Sequence, residues 1–223
     1  MVMELCAALA RPLEWTLARI DLEGVDTLKS VMETHGRALL LTGHLGNWEL
    51  LSAAHRLTSY SLAVVARPLD ASWLETLARR LCEKTGVELI DKRQALRPVL
   101  TALRRGRLVG ILLDQNAARD EAAFVPFFGV LASTSRSMAV LALRTDAPVV
   151  PVFIRREASG RHRISIEPPL AVPEATDRDA AVRELTALCT ARVEAAIRRA
   201  PEQWFWMHNR WRTRPPEERR PRD

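Results

Sequence analysis

The middle of this 223-residue chain alternates short, uninterrupted apolar runs with stretches of helical periodicity, and that rhythm restricts the fold more than any other feature. Ala38–Leu41, Leu62–Ala66, Val87–Ile90, Leu108–Leu113 and Val149–Ile154 are the apolar runs. Runs this short, without polar alternation, read as strands buried on both faces. Leu50–Leu57, Trp73–Cys82, Leu96–Arg104 and Met138–Arg144, between them, carry apolar residues at helical spacing. Such alternation builds an α/β fold, an open and mostly parallel sheet with helices on both faces. A hairpin across Ala158–Gly160 adds the alternating strand His162–Glu167. Residues 177–200 read as a long amphipathic helix with Val182, Leu185, Leu188, Val193 and Ile197 inward, ended by Pro201.

Several of these strands end at polar residues: Thr42-Gly43, Arg67 and Asp114. In an open α/β sheet, ligands bind beyond the carboxyl ends of the strands, so the three ends are expected to converge on one cleft. The first carries Thr42–Leu50, TGHLGNWEL. On one continuous helix His44 and Glu49 would stand about 140° apart and could not meet. A turn made possible by Gly43 and Gly46 can fold Glu49 back towards the ring, with Asn47 as the N-cap. A carboxylate on one ring nitrogen fixes the tautomer and stabilises the imidazolium formed when the other nitrogen takes a proton. That is the wiring of a general base for a hydroxyl nucleophile. The same residues also read as a capping turn with an incidental histidine.

Arg67, at a strand end and before Pro68, suits a phosphate or a developing oxyanion, or is simply a surface charge. Asp114 could hold that arginine or cap the following loop. Phe124–Gly129, FVPFFG, places three of the five Phe residues in a loop, where Phe127 and Phe128 form either a plug over the sheet or a wall of an acyl-chain groove. Ser133, Thr134 and Ser135 read as caps of the helix that follows; no G-x-S-x-G elbow marks a serine nucleophile.

Composition bounds the rest. The net charge of +6 and pI of about 10.0 call for an anionic partner or surface, but the Arg residues are dispersed and no nucleic-acid motif is present. Arg161-His162-Arg163 is either a solvated turn or a patch for anionic headgroups, and the Trp-Arg interleaving over 204–212 suits a membrane interface. Three distant Cys without a C-x-x-C pair point to neither a disulfide framework nor a zinc site, so no metal or organic cofactor is expected. No run reaches the roughly 18–20 residues of a membrane span. We expect a single domain over 1–214, opening with an amphipathic helical region within 1–30, and a disordered basic tail over 215–223.

GHLGNWEL resembles the His-x-x-x-x-Glu block of the bacterial lipid A biosynthesis acyltransferases, the lauroyl and myristoyl transferases, within the wider His-x-x-x-x-Asp/Glu glycerolipid acyltransferase superfamily. Further blocks follow in the family's order. They are Arg67-Pro68-Leu69, Asp114-Gln115 with FVPFFG and Ala132-Ser133-Thr134, Leu143-Arg144 with Ala147–Pro151, and Pro201–Trp206 with Arg210-Trp211. The resemblance implies a glycerol-3-phosphate acyltransferase-like fold and transfer of a fatty acyl group from an acyl-carrier-protein thioester to a hydroxyl of a lipid A precursor. His44 would be the base and Glu49 its orienting carboxylate. Gly46, Asn47, Arg67, Asp114, Phe127 and Phe128 would serve substrate binding. It implies peripheral attachment at the cytoplasmic face of the bacterial inner membrane. Family members carry an anchoring helix ahead of the His block, which is expected to be absent from this chain. Two other readings use the same residues: an acyltransferase acting on a glycerolipid or mannosylated inositol lipid, and a lipid-binding module without catalysis.

Overall fold

A computed structural model describes residues 2–67, 71–174 and 177–216. The chain opens with α1 (Val2–Ala10), α2 (Leu13–Leu17), β1 (Ile20–Glu23), α3 (Val25–His35) and β2 (Ala38–Thr42). It continues through α4 (Leu51–Ala54), β3 (Leu62–Ala66), α5 (Ser72–Thr85), β4 (Glu88–Asp91), α6 (Leu96–Arg104) and β5 (Leu108–Leu112). A hairpin of β6 (Ala122–Phe127) and β7 (Val130–Ser135) leads to α7 (Ser137–Thr145), β8 (Val149–Arg156), β9 (His162–Ile166) and α8 (Arg178–Arg199).

Seven strands form one open sheet in the order β1-β9-β8-β2-β5-β3-β4, parallel except for the β8–β9 hairpin. Alternation along the central strands divides the core in two. Leu39, Leu41, Val109 and Ile111 pack with α6, α7 and α8, whereas Ala38, Leu40, Leu62, Val64 and Leu108 pack with α1, α3, α4 and α5. Covering both faces is what makes ALLL and LVGIL continuous apolar runs.

The expected α/β sheet is present, with four local departures. The N-terminal helical stripe breaks at Pro12, which cannot continue a helix, and is followed by a strand and helix not expected there, β1 and α3. The helix expected over Leu50–Leu57 is one turn of α-helix between two 3-10 turns, Trp48–Leu50 and His55–Leu57. FVPFFG is not a loop: Phe124–Phe127 lie in β6, and the chain reverses through Phe128 (φ 52) and Gly129 (φ 77), the double positive φ of a tight hairpin. Ser133 and Thr134 are accordingly in β7 and not helix caps. In α8, Leu188 faces outward and Cys189 takes the inward position. Asp177 caps this helix, accepting from the N–H groups of Asp179 and Ala180. Of the tail expected to be disordered, Pro215 is buried, and 217–223 lie outside the described residues.

Candidate active site

His44 sits where β2 ends beside the end of β5. Two glycines make that approach possible. A Cβ on Gly43 would stand 3.1 Å from the Asp114 Cγ, and one on Gly46 (φ 58) only 2.6 Å from the Ile154 carbonyl oxygen. The chain can therefore fold tightly enough for Asp114 to grip His44 twice. The His44 backbone N–H donates to Oδ2 at 2.9 Å, and the ring Nδ1 lies 2.8 Å from Oδ1. The Trp204 indole N–H also donates to Oδ2, at 2.8 Å.

Asp114 is 2 % exposed. Burial alone would push its carboxyl up, but the donors from His44 and Trp204 outweigh it and hold the group below the ordinary carboxylate range. An ionised Asp114 only accepts, so Nδ1 is the donor in this bond and Nε2 is the nitrogen turned away from it. The His44 Nε2 lies 3.4 Å from the Gln115 Nε2, and the side chain retains 21 % exposure. The ring is thus anchored at one nitrogen and open at the other.

The segment after α8 closes the site from behind. Leu45 bridges to Trp204, Phe205 N–H donates to the His44 carbonyl at 3.0 Å, and Gly46 N–H donates to that of Gln203 at 2.9 Å. Trp204 packs edge-on against Phe127 (5.6 Å) and Trp206 (4.6 Å), while Trp48 and Phe205 flank the imidazole. Beneath this aromatic layer Arg210 is fully buried, donates to the Ser133 carbonyl and the Thr134 hydroxyl, and lies 4.9 Å from the Phe127 ring. Burial lowers the Arg210 pKa to about 10.

In front of His44 opens a cavity of about 490 Å³ on the α4–α5 side of the sheet. Its polar end carries His44, Glu49, Thr42, Arg67, Lys92 and Gln115; its floor is Leu40, Leu62, Val64, Leu108, Gly110 and Leu112, reaching on to Ile164 and Ile166. The Thr42 hydroxyl is buried there without a hydrogen-bond partner.

The structure brings His44, Glu49 and Arg67 to one cavity and rearranges the other expected residues. The carboxylate on the His44 ring is Asp114, from the segment just after β5 and not from the turn that follows β2; its oxygens accept from His44 and Trp204. Glu49 lines the cavity near the imidazole, bonded to the Trp48 indole. Burial and, further down, Glu75 push its carboxyl up, against the pull of Trp48 and His44. Asn47 makes no capping bond; its amide donates to Glu4 at 3.0 Å, and Gly46 and Asn47 line a shallow hollow behind the turn, away from the cavity. Phe127 is fully buried in the core of the opposite face with Phe128 packed against it, and neither ring is among the residues lining the cavity. Arg161 and Arg163 are paired with Asp21, Glu23 and Glu157.

Trp204, Thr42 and the buried Arg210 had no distinct signal in the sequence beyond the C-terminal aromatic block and the strand end.

The chain belongs to the bacterial lipid A biosynthesis acyltransferase family, whose profile matches residues 1–213. It is 28% identical over 201 residues to a lipid A biosynthesis palmitoleoyltransferase of Escherichia coli (strain K12), covering 87% of this chain and 62% of that protein. It is also 28% identical over 207 residues to the lipid A biosynthesis lauroyltransferase of the same strain, covering 90% and 63%. It is 27% identical over 212 residues to the lipid A biosynthesis myristoyltransferase of Escherichia coli (strain K12), covering 91% and 62%. The chain thus spans somewhat less than two thirds of the length of these curated relatives.

Proposed function

We propose that this chain is an O-acyltransferase moving a fatty acyl group from an acyl-carrier-protein thioester to a hydroxyl of a lipid A precursor. The observation that carries the reading is the His44–Asp114 pair at the polar end of a long apolar cavity. His44 Nε2 takes the proton of the acceptor hydroxyl while the oxygen attacks the thioester carbonyl. When the C–S bond breaks, the same nitrogen returns its proton to the leaving thiolate. Asp114 holds the tautomer and offsets the charge on the imidazolium. Glu49, near the imidazole, adds a second negative charge when it is ionised. Arg67 and the Gln115 amide meet the developing oxyanion or an acceptor phosphate. No acyl-enzyme is needed.

The apolar floor takes the donor's acyl chain. Phe205, whose ring centre lies 6.4 Å from that of His44, is exposed together with the following Trp206 and Met207, as a peripheral protein at the cytoplasmic face of the inner membrane would present them. No helix among the described residues is long and apolar enough to cross a membrane. Incubating purified protein with labelled acyl-carrier-protein thioester and lipid A precursor tests the assignment: acylated precursor is expected. Lipid binding with no transfer from any donor would favour the carrier reading.

A further inference from the structure

Resting on the reading of the cavity as the donor acyl site, we propose that Gly110 sets the length of acyl chain this protein accepts. Strand β5 presents Leu108, Gly110 and Leu112 to the cavity floor. Gly110 lies in register with Leu40 of β2 and Val64 of β3, both of which also line the cavity. It is a gap between two bulky side chains.

Nothing in the backbone demands that gap. Gly110 is absent from the positive-φ residues, and a Cβ there would meet Val64 Cγ2 at 3.5 Å, the Ala63 carbonyl oxygen at 3.8 Å and Leu62 Cδ1 at 3.9 Å, all ordinary contacts. Gly43 and Gly46, in the same site, differ: there a side chain would press into Asp114 or the Ile154 carbonyl. Glycine inside a central strand weakens it and often marks a place where something else approaches closely. At Gly110 the approaching body is whatever fills the cavity.

Position along the strand converts the gap into a measure. Leu112 pairs with Thr42 at the polar end, and Gly110 lies roughly 6.6 Å deeper, two residues of strand. Leu108, in register with Leu62, lies about as far again beyond it. A short acyl chain ends before Gly110. A longer one crosses it to reach Leu62, Leu108 and the Ile164–Ile166 end. A side chain at Gly110 would close that crossing.

The test uses the full chain with butanoyl, dodecanoyl and tetradecanoyl acyl-carrier protein as donors and lipid A precursor as acceptor. Gly110→Val is expected to lower kcat/KM for the two longer donors, relative to the butanoyl donor, by about tenfold or more, the equivalent of about two buried methylenes. Gly110→Ala, which meets only ordinary contacts, is expected to shift the profile the same way by less, and it carries the test if the valine variant does not fold. An unaltered chain-length profile in folded, active variants overturns the inference while leaving the acyltransferase reading standing. A uniform loss across all three donors also overturns it, by assigning Gly110 to stability. Absence of transfer by the unsubstituted protein from every donor overturns both.

Discussion

The two faces of the central sheet are built from alternate residues of the same strands, yet one is filled and the other hollow. On the filled face Leu39, Leu41, Val109 and Ile111 meet Met138, Leu185, Phe127 and Trp204 in a closed core. On the hollow face Leu40, Val64 and Leu112 remain partly exposed in the middle of a sheet covered by helices, because they border the cavity. The filled face supplies the rigid support: Trp204 holds Asp114, and Asp114 holds His44. The hollow face supplies the space in which that histidine can act. The difference teaches that the site is a boundary device, with orientation from one side and room for substrate on the other.

The largest effect expected is at the boundary itself. His44→Ala should lower acyl transfer by about 10²–10⁴-fold, the range for losing a general base, with the melting temperature nearly unchanged. Asp114→Asn should cost a comparable factor, since an amide no longer fixes the Nδ1–H tautomer. Steady-state rates on folded protein check both. Near-normal turnover in Asp114→Asn would detach the support from the chemistry.

The contrast in packing should appear next, in stability. Phe127→Ala, on the filled face, should cost about 3–5 kcal/mol in denaturant unfolding. Val64→Ala, beside an existing cavity, creates little new void and should cost under about 1.5 kcal/mol. Equal losses would mean that the hollow face is as tightly packed as the other.

Much of this contrast was legible in the sequence, and what was not has physical causes. The parallel sheet followed from runs such as ALLL and LVGIL, because burial on both faces leaves no room for polar alternation. His44, Glu49 and Arg67 followed from strand ends. The partner of His44 did not, since Asp114 is 70 positions away and meets it only once β2 and β5 pair side by side. FVPFFG resisted a strand reading because it contains a proline and carries its turn at Phe128, a residue that seldom adopts positive φ. Pro126 is tolerated in a two-stranded hairpin, where an edge position needs no further N–H donor. Gly110 sat in plain view within an apolar run, but only the absence of a steric need for it makes it informative.

The smallest effect expected separates the two carboxylates near His44, and its sign is the test. Asp114 is held below its ordinary pKa, so it contributes stability above its unfolded value that is lost as pH falls through the folded one. Glu49 is pushed up, chiefly by burial at the cavity, so the folded state binds its proton more tightly than the unfolded chain does. Its contribution is therefore fully present below the unfolded pKa and is lost as pH rises through the folded one. At neutral pH an ionised Glu49 is a net cost to folding. Glu49→Gln keeps the size and can still accept from the Trp48 indole, so it should slightly raise the melting temperature at neutral pH, with the gain fading in acid. Transfer should fall at the same time, because the charge that destabilises the empty site is the one that stabilises the imidazolium during reaction. Melting curves across pH and transfer rates on one preparation decide the matter. A destabilised Glu49→Gln with unchanged transfer would make Glu49 a structural residue of the hollow face and leave Asp114 alone with His44.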